Sequence, residues 1–310
     1  MQATTTKPLP NGLVTNYATR WAFIVKKFKI IHRTHYEFSN SVQLLPHTLR
    51  LRPREGHELR IEYSKLDITP LASLRWQRDV EGNCISTASF NTKTQSLTIS
   101  SEVVIQQYDL LPHDFLVSNY AVHYPFNYSS EDTILLSPYL LNPAEPRSTI
   151  IDNWIAELKS ISDKEKIQTF ELLLQLNQRI YQTISYRIRE EEGVQPAEQT
   201  LALSSGSCRD CASLFMAAAK ALGFAARFVS GYIHSHAAIA QSGSTHAWAE
   251  VFIPGAGWKG FDPTIGDMVG ADHIAVAVAR LPESVPPVAG NFFGNPGSKM
   301  DVDVWVTEIE

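Results

Sequence analysis

Gly206-Ser207-Cys208-Arg209-Asp210-Cys211, continuing through Leu214-Phe215-Met216 to Leu222-Gly223, is the stretch that decides the fold. Ser207 is a helix-capping residue type, and Asp210 stands three positions later. Cys211, Leu214, Phe215, Ala218 and Leu222 then recur at the spacing of one helical face. Gly223 supplies the stop. The pattern predicts a helix over 207–222 with Cys208 in its first turn. Free backbone N–H groups and the positive end of the helix dipole favour a thiolate there. The same N–H groups can receive the oxyanion that forms when a thiolate attacks a carbonyl.

Downstream the texture changes to strand. Ala225 to Ile233, Ala247 to Ile253 and Trp258 to Phe261 read as strands, and Met300 to Val306 alternates as a last one. His246 opens the second of these strands and Asp262 closes the third. A histidine and an aspartate at the ends of adjacent strands can meet, with the helix N-terminus facing them. This is the arrangement of a nucleophile, its base and the group that orients the base. Upstream of Cys208, Ser162 with Glu165 three residues on has the form of a capping box, and Ile167, Phe170, Leu173, Leu174 and Ile180 form an apolar stripe.

The first third of the chain reads differently. Leu49-Arg50-Leu51-Arg52 and Leu59-Arg60-Ile61-Glu62-Tyr63 alternate strictly, and Pro53, Gly56 and Glu81-Gly82-Asn83 punctuate the runs. The expected organisation is α+β. A flexible extension covers 1–27, an antiparallel β-sandwich-like domain 28–110, a proline-punctuated connector 111–150, and a catalytic core with its own C-terminal strand 151–310.

Gly206-Ser207-Cys208-Arg209-Asp210, His246-Ala247-Trp248 and Gly260-Phe261-Asp262-Pro263-Thr264 resemble the three signature stretches of bacterial transglutaminase-like proteins. Residues 28 to 105 are similar to the β-rich domain preceding the core in that family. The resemblance implies a papain-like fold with Cys208 as nucleophile, His246 as base and Asp262 as its orienting partner. It implies acyl transfer on peptide or carboxamide bonds, with hydrolysis favoured over transfer to an amine. Cys211 stands where the family has a bulky aromatic, and Ile265 where it often has Asn. Tyr186 and Gln195 are both candidates for a second oxyanion donor.

Competing readings are weaker on spacing. A zinc site from Cys208-x-x-Cys211 with His234, His236 and His246 lacks paired ligand spacing. A thioredoxin-like redox motif lacks a buried strand running into Cys208. A non-catalytic peptide-binding module has no need of all three groups. No cofactor or metal is expected. Lys and Arg number 27 against 32 Asp and Glu, a net charge of −5, so the chain lacks the basic field of a nucleic-acid or anionic-membrane binder. Three cysteines in 310 residues make no disulfide framework. The run Trp21 to Val25 is too short for a membrane span or a signal-peptide core, so the expected location is cytoplasmic and the expected partner a peptide or protein substrate.

Overall fold

The computed structural model describes residues 25–108, 112–141, 148–161, 167–189, 191–234, 245–295 and 297–310. Strand β1 (Lys26–Leu44) is the spine of the first domain. Phe28, Ile30, His32 and Thr34 turn inward at period two. β2 (His47–Leu49), β3 (Leu59–Thr69), β4 (Ser73–Arg78), β5 (Cys84–Ser89) and β6 (Lys93–Gln107) follow. β1, β6 and β3 pair antiparallel in one sheet; β2, β5 and β4 form the second. Phe38, Val42, Leu44, Leu49, Leu97 and Ile99 fill the space between them. The first domain is therefore the sandwich that the alternation predicts. The expected extension lies outside the described residues as far as residue 24. Its end is already strand, since Lys26 pairs with Gln107 and Lys27 with Gln106.

The connector contains α1 (Ser130–Leu136), whose cap Ser129 accepts the Asp132 N–H through Oγ at 3.0 Å. Tyr128 straps it to the second domain, accepting the Ala225 N–H at 3.0 Å and donating to the Phe252 carbonyl at 2.8 Å. Then come α2 (Thr149–Ile161), α3 (Thr169–Thr183), β7 (Ser185–Tyr186), α4 (Ala197–Leu203), β8 (Ser205–Gly206) and α5 (Cys208–Ala221). The Ser162–Glu165 capping box lies outside the described residues, and α3 starts later than its stripe predicts. The connector captures the chain first: Tyr124 donates to the Ile167 carbonyl at 3.0 Å and Thr169 to that of Val122 at 2.9 Å. Backbone groups spent on this pairing are lost to a helix.

The second domain is built on the antiparallel sheet β12-β11-β10-β9-β13. Its strands are β9 (Ala226–Ile233), β10 (His246–Ile253), β11 (Gly257–Asp262), β12 (Asp267–Met268) and β13 (His273–Ala279). α5 lies on one face, burying Leu214, Phe215 and Ala218 against Ala247, Ala249 and Phe261; the Phe215 and Phe261 rings stack at 5.3 Å. The other face is covered by the first domain, where Tyr232, Ile274 and Val276 pack on Phe28, Ile30 and Val103. At that junction His32 hydrogen-bonds the Tyr232 hydroxyl and Thr34 Oγ1, both at 3.0 Å, and burial pushes its pKa down to about 4. It is a neutral packing group at the domain junction.

The chain end corrects the expected domain limits. β14 (Val288–Ala289) pairs with β2, β15 (Phe292–Phe293) with β1, and β16 (Ser298–Ile309) runs antiparallel along β1 from Phe38 to Lys27. The last strand thus belongs to the first domain, not to the 151–310 core. β6 occupies one edge of β1, and without a partner the opposite edge of this long strand would be a row of open backbone groups. β16 closes it and buries Val304 in the junction.

Candidate active site

Cys208 is the first residue of α5, and the helix start is held by Asp210. The fully buried Asp210 carboxylate accepts the Ser207 N–H and hydroxyl, both at 2.8 Å, and the Gln195 N–H at 2.8 Å. Arg189 adds an ion pair, its Nη1 donating to Oδ1 at 2.7 Å. Burial pushes the Asp210 pKa up, but these donors outweigh it and leave the carboxyl below its usual range. Its contribution is therefore present above the unfolded carboxylate value and lost as pH falls towards the lower folded one. Asp210→Ala should leave Arg189 only the exposed Glu191, 3.5 Å from its Nε, take the acceptor from the Ser207 and Gln195 donors, and cost about 3–5 kcal/mol, measured by denaturant unfolding. Arg209 pins the loop from the other side, donating to the carbonyls of Arg189 at 3.2 Å and Glu191 at 3.4 Å.

His246 and Asp262 meet beside this helix end. Ala249 pairs with Phe261 across β10 and β11. Continuing the register puts Asp262 diagonally across from His246 on one face, within side-chain reach. His246 Nε2 lies 2.6 Å from Asp262 Oδ2. With Nε2 committed to Asp262, the nitrogen left to face Cys208 is Nδ1, and the thiol is close enough to help raise the pKa of His246. The three residues singled out from sequence are thus brought together. Burial disfavours the imidazolium, but hydrogen bonds and charge from Asp262 and Cys208 outweigh it and raise the pKa of His246. Asp262 is held far below the carboxylate range: burial raises it, and hydrogen bonds from His246 and His273 overcome that.

The two oxyanion candidates separate cleanly. Gln195 spends its amide on Thr200 Oγ1 at 2.9 Å and the Ser205 carbonyl at 3.1 Å, so it braces the loop before Cys208 and is not free to bind an oxyanion. Tyr186 is close enough to Cys208 for the two to interact electrostatically. Burial, then the charges of Cys208, Cys211 and Asp262, hold its hydroxyl above the usual phenol range, so it stays a protonated donor. A cavity of about 250 Å³ opens next to it, lined by Tyr181, Ile184, Tyr186, Cys211, Pro263 and Thr264 among others, none of them charged.

Cys211 is a buried neutral thiol: burial first, then the charges of Cys208, Asp210 and Asp262, push it up to about 12. Among the described residues, the side chains whose ligand atoms cluster within 4.8 Å are His246, Asp262 and His273, with neither cysteine among them. The Cys-x-x-Cys zinc reading therefore finds no closed ligand set there. His234 instead faces Asp272, with Nδ1 at 3.6 Å from Oδ1, and His236 lies outside the described residues.

Several supporting residues are not singled out for a role by the sequence, although Thr264 lies within the Gly260–Thr264 stretch. Thr264 donates to Asp262 Oδ1 from its N–H at 2.9 Å and its hydroxyl at 2.6 Å. Asn177 on α3 donates to the carbonyls of Asp262 at 3.3 Å and Asp267 at 2.9 Å, and Gln178 donates to that of Gly266. α3 thereby clamps the turn after β11. His273 places Nε2 3.0 Å from Asp262 Oδ2.

A sandwich domain joined to a helix-on-sheet core, with a cysteine at the helix N-terminus beside a histidine and an aspartate from the sheet, defines a papain-like protein. The chain belongs to the transglutaminase-like superfamily: residues 158–263 match its core and residues 28–106 match the bacterial transglutaminase-like N-terminal region. Uncharacterised proteins of Mycobacterium tuberculosis and Mycobacterium bovis are 28% identical over 304 residues, covering 92% of this chain and 93% of theirs. One from Mycobacterium leprae is 22% identical, covering 91% of this chain and 99% of its own length. The crystal structure of a candidate cysteine protease from Cytophaga hutchinsonii shares the fold, with a TM-score of 0.69 at 18% identity, covering 92% of this chain and 91% of that one. Membership supports cysteine-based catalysis in general.

Proposed function

We propose that the chain is a cysteine peptidase or amidase that cleaves peptide or carboxamide bonds through a thioester on Cys208. The observation that carries this reading is His246 standing between Asp262 and Cys208 at the N-terminus of α5. The Cys208 thiolate attacks the carbonyl carbon, and the π electrons move onto oxygen. The backbone N–H groups at the start of α5, with the Tyr186 hydroxyl, receive that oxyanion. As the tetrahedral adduct collapses, the C–N bond breaks and His246 gives its Nδ1 proton to the leaving amine. Neutral His246 then takes a proton from water, whose oxygen attacks the thioester; collapse expels the Cys208 thiolate and leaves a carboxylic acid. Asp262 compensates the imidazolium in both halves of the cycle.

Hydrolysis is favoured over transfer to an amine because water is always available, whereas shielding a thioester from it demands extra structure. The uncharged cavity beside Tyr186 suits an uncharged side chain flanking the bond that is cut. The test supplies a glutaminyl peptide together with a free primary amine and follows both products by mass spectrometry. Free acid as the main product supports hydrolysis; amine adduct as the main product makes the chain a transglutaminase. Neither product and no acylated Cys208, over a panel of peptide and carboxamide substrates, would return the chain to a peptide-binding role.

A further inference from the structure

We propose that His273 is a positioning residue that locks Asp262 into the orientation His246 requires. This rests on the assignment of Cys208, His246 and Asp262 given above. A carboxylate offers about four lone-pair sites, and here all are taken. Oδ2 faces His246 Nε2 at 2.6 Å and His273 Nε2 at 3.0 Å, while Oδ1 accepts the two Thr264 donors at 2.9 and 2.6 Å. Rotation about the Cβ–Cγ bond breaks every one of these contacts at once. Thr264 alone would secure one oxygen and leave the other to follow His246 as that ring moves. His273 holds the second oxygen from a different strand.

The position of His273 is itself determined. The Gly270 N–H donates to its Nδ1 at 3.3 Å, so the ring hydrogen sits on Nε2, aimed at Asp262. Both nitrogens are thereby used, which leaves none for Cys208 and rules out a second base. The Trp248 ring meets His273 edge to face at 5.3 Å. That contact needs Gly231, which pairs with His246 on one side and Ala275 on the other. A Cβ on Gly231 would come within 2.3 Å of the Ile274 carbonyl oxygen and 2.6 Å of Trp248 Cη2. Glycine on the intervening strand opens the space in which tryptophan supports the ring. The groups facing His246 are Cys208 from α5, Asp262 from β11 and His273 from β13, whose ring centroid is 6.0 Å away; Tyr186 from β7 faces Cys208 and Asp262.

A buried histidine could also serve packing alone, and the experiment separates the two roles. The full chain carries His273→Leu or His273→Gln, the second retaining an N–H donor. Iodoacetamide alkylation of Cys208 is followed by mass spectrometry from pH 5 to 10, and the His246 ring is titrated by NMR, both on protein shown to be folded by thermal melting. His273→Leu is expected to slow alkylation at pH 6 about 10–100-fold, the range seen when supports behind a reacting group are removed. The His246 titration should move down towards an ordinary histidine, and His273→Gln should recover most of both losses. A lowered melting temperature with unchanged alkylation and titration overturns the proposal. So does a His246 titration that stays or moves upward, or a His273→Gln variant as impaired as His273→Leu. If neither variant folds, Trp248→Phe, which trims the ring that supports His273, must reproduce the downward His246 shift, and its failure to do so overturns the proposal. Wild-type Cys208 that alkylates no faster at pH 6 than a free thiol defeats the nucleophile assignment itself, a result distinct from all of these.

Discussion

Cys208→Ala is expected to abolish turnover, whereas Cys211→Ala should retain most of it. Removing the nucleophile of a catalytic triad costs on the order of 10⁶-fold in kcat, which an ordinary assay reads as zero. Cys211 lies one turn further along α5, buried and neutral, with burial holding its thiol at about 12. It supplies neither a thiolate nor a ligand to the His246–Asp262–His273 group. Its replacement by alanine trims a small buried group and should cost about 1 kcal/mol of stability. Kinetics and unfolding of the two variants side by side test this. Equal loss of activity in both, with release of a bound metal ion, would restore the zinc reading.

Asp262→Asn is expected to lower turnover by roughly 10 to 10⁴-fold, the upper figure being that of the corresponding change in a serine triad. The reason lies in the donors around the carboxylate. Two histidine nitrogens face Oδ2, and the Thr264 N–H and hydroxyl face Oδ1. An amide has one oxygen and one NH₂, so it cannot satisfy both sides. With NH₂ towards the histidines, His246 must accept at Nε2 and carry its hydrogen on Nδ1, which is the wrong tautomer to take a proton from Cys208. With NH₂ towards Thr264, a buried N–H loses its acceptor, at about 1–3 kcal/mol. In either orientation the imidazolium loses its counter-charge.

The same change should alter the pH dependence in a defined direction. The folded-state pKa of His246 is raised above 6.5, to about 10. The stability it contributes is therefore complete below 6.5 and lost as pH rises through the folded value. Asp262 is depressed, so its contribution is present above the unfolded carboxylate value and lost only in strong acid. If the imidazolium is the acid for the leaving group, wild-type kcat/KM should hold into alkaline solution. In Asp262→Asn the alkaline limb should retreat towards 6.5. Coincident limbs in the two proteins would remove Asp262 from the mechanism.

Local signals made much of this protein legible in its sequence. The Ser207–Asp210 cap, the apolar stripe and Gly223 defined α5 to within a residue or two, because capping and helical periodicity involve neighbours a few positions apart. Period-two alternation marked β3 through Leu59–Tyr63 for the same reason, whereas Leu49–Arg52 alternates as strictly and only its first residue is in a strand, the end of β2. The order of Cys208, His246 and Asp262 followed from a helix start and two strand ends. Other features depended on which distant segments pair, and no local pattern encodes that. β16 has the alternation of any strand, and only the open edge of β1 assigns it to the first domain. Gln195 and Tyr186 were equivalent candidates until Thr200 and Ser205 claimed one of them. Arg189 became the partner of Asp210, and His273 that of Asp262, through loops that return across the structure. Short-range chemistry determined the helix, the strands and the reacting groups, whereas tertiary packing chose their supports, because a buried carboxylate accepts whichever donors the assembled chain brings within about 3 Å.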